Sequence, residues 1–399
     1  MPVDLIRTPA KANRQKAPSV KRWLIFLLVL ISVGGLLTAW LWPANVSSHT
    51  PTFWICSAAI PCLFWTILFI VRWLIFLAPA FGADGWDDAR RQDIEMDIWR
   101  GQRSLLIQTQ IVHLPHVIAT ASLPGQLLMT DGISLPLQVD TATNKIIHQA
   151  RFDKAYLPLE QRLAIRLQAL LQDGQLQSAF HQMPSGSGLS VLLQTGSAAA
   201  FPEWVNLLHD LTEQAIGCSL RLNFLQSGGM EMVDTWLDLR EKDRTLLVIA
   251  LNVSEKEADG SGDAAVALLL HNEAQQDGEG IAWLHRPEQT KENGMNYALQ
   301  QALLWGKSTP EEISQIWLSG MGTRNQAESV FSQTGVRFPS ADQPCDIDIH
   351  LGQTADASPW LAIAVAAENA RNTRHSQLLM SSSGENVVPW FAVVRPLIS

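Results

Sequence analysis

The chain has 399 residues, 47% of them hydrophobic, and its 29 Lys and Arg against 38 Asp and Glu give a formal net charge of −9. The residues after 78 hold 37 of the acids and 22 of the bases, and a surface with that acidic excess repels nucleic acid, so we expect no nucleic-acid partner. The four cysteines follow neither a zinc spacing nor a disulfide framework, and no pattern indicates a metal or a cofactor.

Two uncharged apolar runs near the N-terminus predict transmembrane helices at residues 23–42 and 53–71. Twenty residues at 1.5 Å per residue span about 30 Å, the thickness of a bilayer's hydrocarbon core. A cleaved signal peptide fits less well, because the first run is longer than a signal's apolar region and no small-residue cleavage site precedes the second. A buried hairpin of a soluble protein fits less well too, because both runs are long and uncharged.

Lysine and arginine set the expected orientation. Six of them lie in the leader, none lies in the connection 43–52, and Arg72, Arg90 and Arg91 follow the second run. Because such bases stay in the cytoplasm, Arg22 and Arg72 should mark the cytoplasmic ends of the two spans. We therefore expect a multi-pass protein of a bacterial inner membrane, with the lipid bilayer as a partner and with both termini in the cytoplasm.

The predicted organisation has four parts: a basic leader at 1–22, two spans within 23–78, a linker helix at 79–104 and a cytoplasmic domain at 105–399. Gly82 to Gly85 should break the chain after the membrane. Periodicity then predicts strands at 105–114, 189–194, 221–225, 245–253, 264–271, 280–285, 316–319, 346–351, 377–382 and 390–394. It predicts helices at 157–171, 201–215, 230–240, 293–305 and 359–369. Strands alternate with helices, which favours a layered α/β fold.

Two groups of residues have the types that hold metal ions, but each has a simpler interpretation. His113 and His116 flank Pro115, which spoils a helix, so a structural role is favoured. Asp346, Asp348 and His350 alternate along a predicted strand, where a metal or acid/base cluster is one interpretation. The solvated face of an edge strand is the favoured one.

Two further candidates are an acidic helix face and a cysteine. Glu231, Asp234 and Asp238 share one side of the predicted helix 230–240, and we expect that side to face solvent. Cys218 follows Gly217 and has the type of a reactive thiol, but a buried structural cysteine is the favoured interpretation.

Three segments in the last 170 residues resemble the C-terminal half of the thiolase-like family, which includes the β-ketoacyl synthases. A Thr-Pro-Glu-Glu-Ile start at 309–313 leads to a loop with Gly322 and Thr323, where the family reads His-Gly-Thr. Gly352 opens a second loop before an Ala-rich helix, where the family reads Gly-His. Gly384 and Asn386 lie in a turn between the two last strands. The resemblance implies a thiolase-like fold for the cytoplasmic domain.

The same comparison predicts that the family's catalytic positions are not kept. Met321 and Gln353 stand where the two catalytic histidines belong, and Ser227 and Gly228 where the nucleophilic cysteine belongs. Cys218 lies about nine residues too early. Condensation needs a thiolate and two imidazoles, so the resemblance implies a degenerate synthase fold without catalytic residues.

The first functional hypothesis is therefore a membrane-anchored, non-catalytic binding or adaptor protein that takes a protein partner. The two-span layout resembles that of uncharacterised membrane proteins from bacterial type VI secretion gene clusters, which implies secretion-machine or effector proteins as partners. An enzyme acting on acyl or thioester substrates is the alternative. A structural protein that oligomerises through its spans is a third hypothesis.

Overall fold

The computed structural model describes most of the chain, in two compact units, Asp4–Asp97 and Ile98–Ser399. We call them the helical unit and the sheet unit. The residues outside the description are 1–4, 6–7, 44–46, 48–49, 117–121, 130–131, 141–143, 153–155, 196–201, 218–219, 226–228, 240–244, 273–279, 291–293, 321–330, 340–342, 383–387 and 398–399.

The helical unit contains helix α1 (Val20–Leu41) and most of helix α2 (Pro51–Gly101), which includes a π-helical turn at Ile55–Ala59. Both helices are long and apolar enough to cross a membrane, with mean hydropathies of 2.5 and 2.2. The predicted break at residues 82–85 was wrong, since α2 runs through it. A glycine inside a helix costs only about 1 kcal/mol relative to alanine, which so long a helix tolerates.

Close contacts join α1 to the start of α2. A Cβ added to Gly34 would lie 2.5 Å from Cγ of Pro61 and 3.3 Å from the carbonyl oxygen of Ser57, so the two backbones approach because position 34 has no side chain. Trp65 also donates from Nε1 to the carbonyl oxygen of Trp23 at 2.8 Å. Small residues and interhelical hydrogen bonds are what hold membrane helices together.

The sheet unit is built on one mixed sheet. Its strands are β1 (Ser104–His113), β4 (Gly188–Thr195), β5 (Arg221–Leu225), β6 (Thr245–Asn252), β7 (Ala264–Asn272), β8 (Ala282–His285), β9 (Glu288–Gln289), β10 (Ile313–Ser319), β11 (Cys345–Asp346), β12 (Ser376–Ser381) and β13 (Trp390–Pro396). A separate hairpin pairs β2 (Leu137–Val139) with β3 (Ile146–His148).

The sheet order shows an internal duplication. Along the sheet the strands run β11-β10-β12-β13-β8-β1-β7-β6-β4-β5. Ten of the strands form two sets of five in chain order, β1-β4-β5-β6-β7 and β8-β10-β11-β12-β13. If the strands of each set are numbered one to five along the chain, their order from the outer edge of the sheet to its middle is three, two, four, five, one in both sets. In each set the second strand pairs parallel with the third and the fourth, and the remaining pairs are antiparallel. The two halves meet where β1 pairs antiparallel with β8.

Helices connect and cover the strands. They are α3 (Leu123–Leu127), α4 (Leu159–Leu171), α5 (Gly174–Gln182), α6 (Pro202–Ile216), α7 (Met230–Leu237), α8 (Gly294–Trp305), α9 (Ile347–Leu351) and α10 (Ser358–Thr373). Short 3₁₀ turns lie at Pro310–Glu312 and Ala355–Ala357.

The core lies around α7 and α10, which precede the fourth strand of each half. Twelve of the sixteen residues of α10 are buried, which fits a helix that is apolar on all sides. The apolar residues of both helices belong to one buried cluster with side chains from both halves of the sheet. The C-terminal ends of β10 and β12 lie beside the first turn of α10, where Ser319 contacts both Ser381 and Ser358.

Candidate functional site

Buried hydroxyl groups meet where β10 and β12 end and α10 begins. Ser319 Oγ contacts Ser381 Oγ at 2.9 Å and donates to the carbonyl oxygen of Ser358 at 3.1 Å. Thr354 Oγ1 contacts Ser358 Oγ at 2.9 Å. All four residues are at most 1% exposed. Because Ser319 has one proton and donates it to the Ser358 carbonyl, the proton between the two serine hydroxyls comes from Ser381.

Two carboxylates border this hydroxyl cluster. Asp348 accepts a hydrogen bond at Oδ2 from the backbone N–H of Gly320, 2.8 Å away, and its own N–H donates to Oδ1 of Asp346 at 3.0 Å. Both carboxylates are 5% exposed. The prediction of a solvated edge strand at 346–351 was wrong, because β11 ends at Asp346 and α9 follows. Asp346 Oδ1 caps that short helix, so the carboxylates point into the fold.

Two main-chain hydrogen bonds clamp the loop at Gln353 to the segment 260–262. The N–H of Gln353 donates to the carbonyl oxygen of Gly260 at 2.8 Å, and its carbonyl oxygen accepts from the N–H of Gly262 at 3.1 Å. A Cβ on Gly262 would lie 2.1 Å from the carbonyl oxygen of Leu351, and Gly352 has a φ of +84°. Both glycines are therefore required for this close approach.

A thiol and an imidazole lie near the cluster in sequence, but neither is set up for catalysis. Cys345 is 7% exposed, and burial raises the pKa of its thiol to about 12. A thiol with that pKa is a poor nucleophile at neutral pH. His350 bonds through Nδ1 to the carbonyl oxygen of Ile133 at 2.8 Å. In the described part of the chain, no imidazole nitrogen bonds to a hydroxyl of the cluster.

One hydroxyl does bond to an imidazole, on the other half of the sheet. Thr245 Oγ1 lies 2.9 Å from Nδ1 of His271, its direct partner across β6 and β7. The other ring nitrogen bonds to Gln108, which sits at a bulge of β1. The exposed fractions of Thr245 and His271 are 4% and 7%, and burial lowers the pKa of the histidine. This chain of bonds satisfies buried polar groups.

A buried arginine, which sequence reasoning missed, holds the acidic side of α7. Arg286 follows β8, is 1% exposed, and donates from Nη1 to Asp234 and from Nη2 to Oδ1 of Asp238 at 2.6 Å. Arg100 Nε lies 3.5 Å from the same oxygen of Asp238. The prediction of a solvent-facing side was therefore wrong for these two aspartates, while Glu231 is exposed. The spacing of 48 residues between Asp238 and Arg286 leaves no local signal.

Metal sites have no support in the described residues, among which no three His, Cys, Asp or Glu side chains could hold an ion together. Burial lowers the pKa of His113 and of His116 below its ordinary value. The description does not include several predicted site residues, namely Met321, Gly322, Thr323, Ser227, Gly228, Gly384, Asn386 and Cys218.

No protein-family model and no curated protein sequence matches this chain. Solved structures do match over 74% of it. The ishigamide ketosynthase/chain length factor superposes with a TM-score of 0.53 at 11% identity, and a β-ketoacyl synthase from Burkholderia phymatum STM815 with 0.52 at 8%. Both are covered over their full length. The sheet unit has a thiolase-like fold.

A third neighbour has the same thiolase-like fold in a longer chain. The PfaC ketosynthase–chain length factor superposes with a TM-score of 0.52 at 11% identity, and this chain covers 43% of it. At these identities the likeness establishes the fold and leaves the activity open. The predicted thiolase-like α/β fold is confirmed, and it places Gln353 before α10, the buried helix of the second half.

Proposed function

We propose that this chain is a membrane-anchored, non-catalytic binding protein whose thiolase-like unit recruits a protein partner. The observation that carries the proposal is the clamped loop at Gln353. In the resemblance described above, this position belongs to a catalytic histidine. Here an amide side chain stands there, and the main chain on either side is bonded to Gly260 and Gly262.

The chemistry of the neighbouring groups supports the same proposal. An acyl-transfer site needs an activated nucleophile next to a base, and a glutamine amide does not exchange protons at neutral pH. The hydroxyls of Ser319 and Ser381 bond to each other, and Ser319 donates to the Ser358 carbonyl oxygen. The Ser358 hydroxyl bonds to that of Thr354, so these bonds offer the serine protons no basic acceptor. Such a network stabilises the fold and has no route to the first step of a condensation.

The helical unit supports membrane anchoring with both termini on one side. Arg14 of the leader forms ion pairs with Asp84 and Asp87, which follow the apolar part of α2. Two spans are needed to bring these segments to the same side of a bilayer. Together with the distribution of Lys and Arg, this supports a cytoplasmic sheet unit at a bacterial inner membrane. A role in type VI secretion is the most specific form of the proposal, and it rests on the layout alone.

A crosslinking pull-down from intact cells tests the binding role. The chain is tagged after Ser399, crosslinked in the cell, extracted from membranes and analysed by mass spectrometry. We expect one dominant protein partner, whose capture survives Gln353→Ala. Secretion-machine or effector proteins would support the specific form. Recovery of acyl carrier protein or lipid-synthesis enzymes instead would contradict the proposal.

The alternative function is an enzyme acting on acyl or thioester substrates, which the ketosynthase neighbours favour by fold. An acyl-type electrophile distinguishes it, because a working synthase is acylated at one cysteine of low pKa. We expect no selective labelling of the native full chain. Stoichiometric labelling that Cys218→Ser abolishes, and that Cys345→Ser leaves intact, would establish the enzyme.

A further inference from the structure

Ion pairs of Arg14 hold the leader against α2. Arg14 Nη2 lies 2.9 Å from Oδ1 of Asp84 and 2.9 Å from Oδ2 of Asp87. Asp87 also accepts at Oδ1 from the N–H of Ala12 at 3.0 Å. One carboxylate thus holds both the side chain and the main chain of the leader.

Two more bonds run from the helix to the main chain of the leader. Arg90 donates from Nε to the carbonyl oxygen of Pro9 at 2.6 Å, and Trp86 donates from Nε1 to the carbonyl oxygen of Ala10 at 3.1 Å. These donors are four residues apart on α2, so they lie on one side of the helix. Residues 9–14 therefore follow that side as a strap.

The strap is weakly held. The side chain of Arg14 is 62% exposed, those of Asp84 and Asp87 are 57% and 23% exposed, and a cleft of about 700 Å³ remains between the strap and the helix. Exposed ion pairs change an equilibrium by at most about fivefold, and salt screens them. The ion pairs that hold the strap lie at an exposed surface of the helix, so a competitor for the charge of Arg14 weakens them.

The anionic headgroups of a bilayer compete with α2 for the basic residues of the leader. Five basic residues of the leader lie within twelve positions, just before and at the start of α1: Lys11, Arg14, Lys16, Lys21 and Arg22. Each Lys or Arg near an anionic lipid surface favours the bound state by about fivefold. Two charges that reach the headgroups therefore favour release by about 30-fold, which only matches the most that the two exposed ion pairs of Arg14 contribute. The remaining charges of the leader are needed to overcome the hydrogen bonds of Ala12, Trp86 and Arg90.

We propose that the leader is an electrostatic strap, which partitions between the acidic side of α2 at Asp84 and Asp87 and the anionic headgroups of the bilayer. In a neutral bilayer the strap stays on the helix. Anionic lipid draws it off and releases the Trp86 indole N–H and the carboxylates of Asp84 and Asp87 from their contacts with the strap. The lipid charge of the membrane thereby controls which surface α2 presents beside the bilayer.

A distance measurement on the full chain tests the strap. Its four cysteines are replaced by serine, spin labels are placed at Gln15→Cys and Gln92→Cys, and the protein is reconstituted in lipid nanodiscs. We expect one short distance in phosphatidylcholine, and a longer, broader distribution in discs enriched in phosphatidylglycerol. The closed-to-open ratio should fall at least tenfold.

Two variants separate the strap from its competitor. Asp84→Asn with Asp87→Asn removes the helix side, so the long distance should appear in both lipids. Lys16→Gln with Lys21→Gln removes charges that the strap contacts do not use, so the short distance should persist in the anionic discs. Distances that ignore lipid charge, or a short distance that survives the double aspartate change, would overturn the proposal.

Discussion

Replacing Arg286 with methionine should destabilise the sheet unit strongly. The substitution keeps the volume but leaves the carboxylates of Asp234 and Asp238 facing each other without the buried guanidinium that donates to both. Removing one partner of a buried ion pair costs about 3–5 kcal/mol. The aspartate side chains are 15% and 18% exposed, so water screens part of the loss and the lower end, about 3 kcal/mol, applies.

This free energy converts to a measurable melting shift. An unfolding entropy of about 2.1 cal/mol/K per residue over about 300 residues gives about 0.6 kcal/mol per degree. Arg286→Met should therefore lower the Tm by about 5 °C in the purified full chain, followed by tryptophan fluorescence in detergent. Glu231→Gln, on the exposed part of the same helix, is the matched control and should shift the Tm by less than 1 °C.

A rescue experiment isolates the cause. If the loss comes from carboxylates that no longer face the Arg286 guanidinium, adding Asp234→Asn and Asp238→Asn to Arg286→Met should recover more than half of the lost Tm. A single Arg286→Met variant as stable as the native chain would refute the reasoning, and so would a triple variant less stable than the single one. The first result would mean that the ion pairs add nothing, and the second that the guanidinium acts through packing.

Three further outcomes are expected. Gly101→Ala should destabilise the sheet unit by about 1–3 kcal/mol, because its Cβ would lie 2.3 Å from the ring of Trp305. Gly85→Ala is the control, because a Cβ there meets open space and should leave stability unchanged or raise it. Thermal melts of both variants measure the difference. Burial lowers the pKa of His285 to about 3, so the folded state excludes a proton that the unfolded state binds below pH 6.5. The free energy of unfolding should therefore fall by about 1.4 kcal/mol per pH unit between pH 6.5 and pH 3. Denaturant titrations of His285→Gln across this range should show a pH dependence that is smaller by this amount. Cys345 should resist maleimide in the native chain and react after denaturation, and native-state labelling mapped to it by mass spectrometry would contradict the raised pKa of its thiol.

Local patterns were enough to predict the regular elements. The apolar run at 245–253 became β6 at Thr245–Asn252, and the amphipathic run at 157–171 became α4 at Leu159–Leu171. The helix is recognised by the helical period of its apolar residues, whereas the strand, with seven consecutive buried residues, is recognised by its short length and continuous apolar run. The alternating segment 346–351 is too short for that, and a capping carboxylate at Asp346 turned it into a helix.

Long-range contacts account for what was not predicted. The partners of Asp234 and Asp238 lie on a segment after β8 and at the end of α2, so their burial depends on the sheet order. The clamp on Gln353 depends on Gly260 and Gly262, some 90 residues earlier. The hydroxyl cluster likewise joins three segments of the second half, and serine and threonine have no spacing that marks such a meeting.

The duplicated sheet has a consequence for synthesis on the ribosome. The first half is complete once β7 ends at Asn272, but β13 ends at Pro396, 124 residues later. At about 5–20 residues per second, that interval lasts roughly 6–25 s. Until β8 pairs with it, the start of β1 is an open strand edge, and the apolar side of α7 lacks α10 until residue 373 has been made, so the nascent half exposes the kind of surface that aggregates. We therefore expect the nascent first half to be the stage at which the chain is most prone to aggregate.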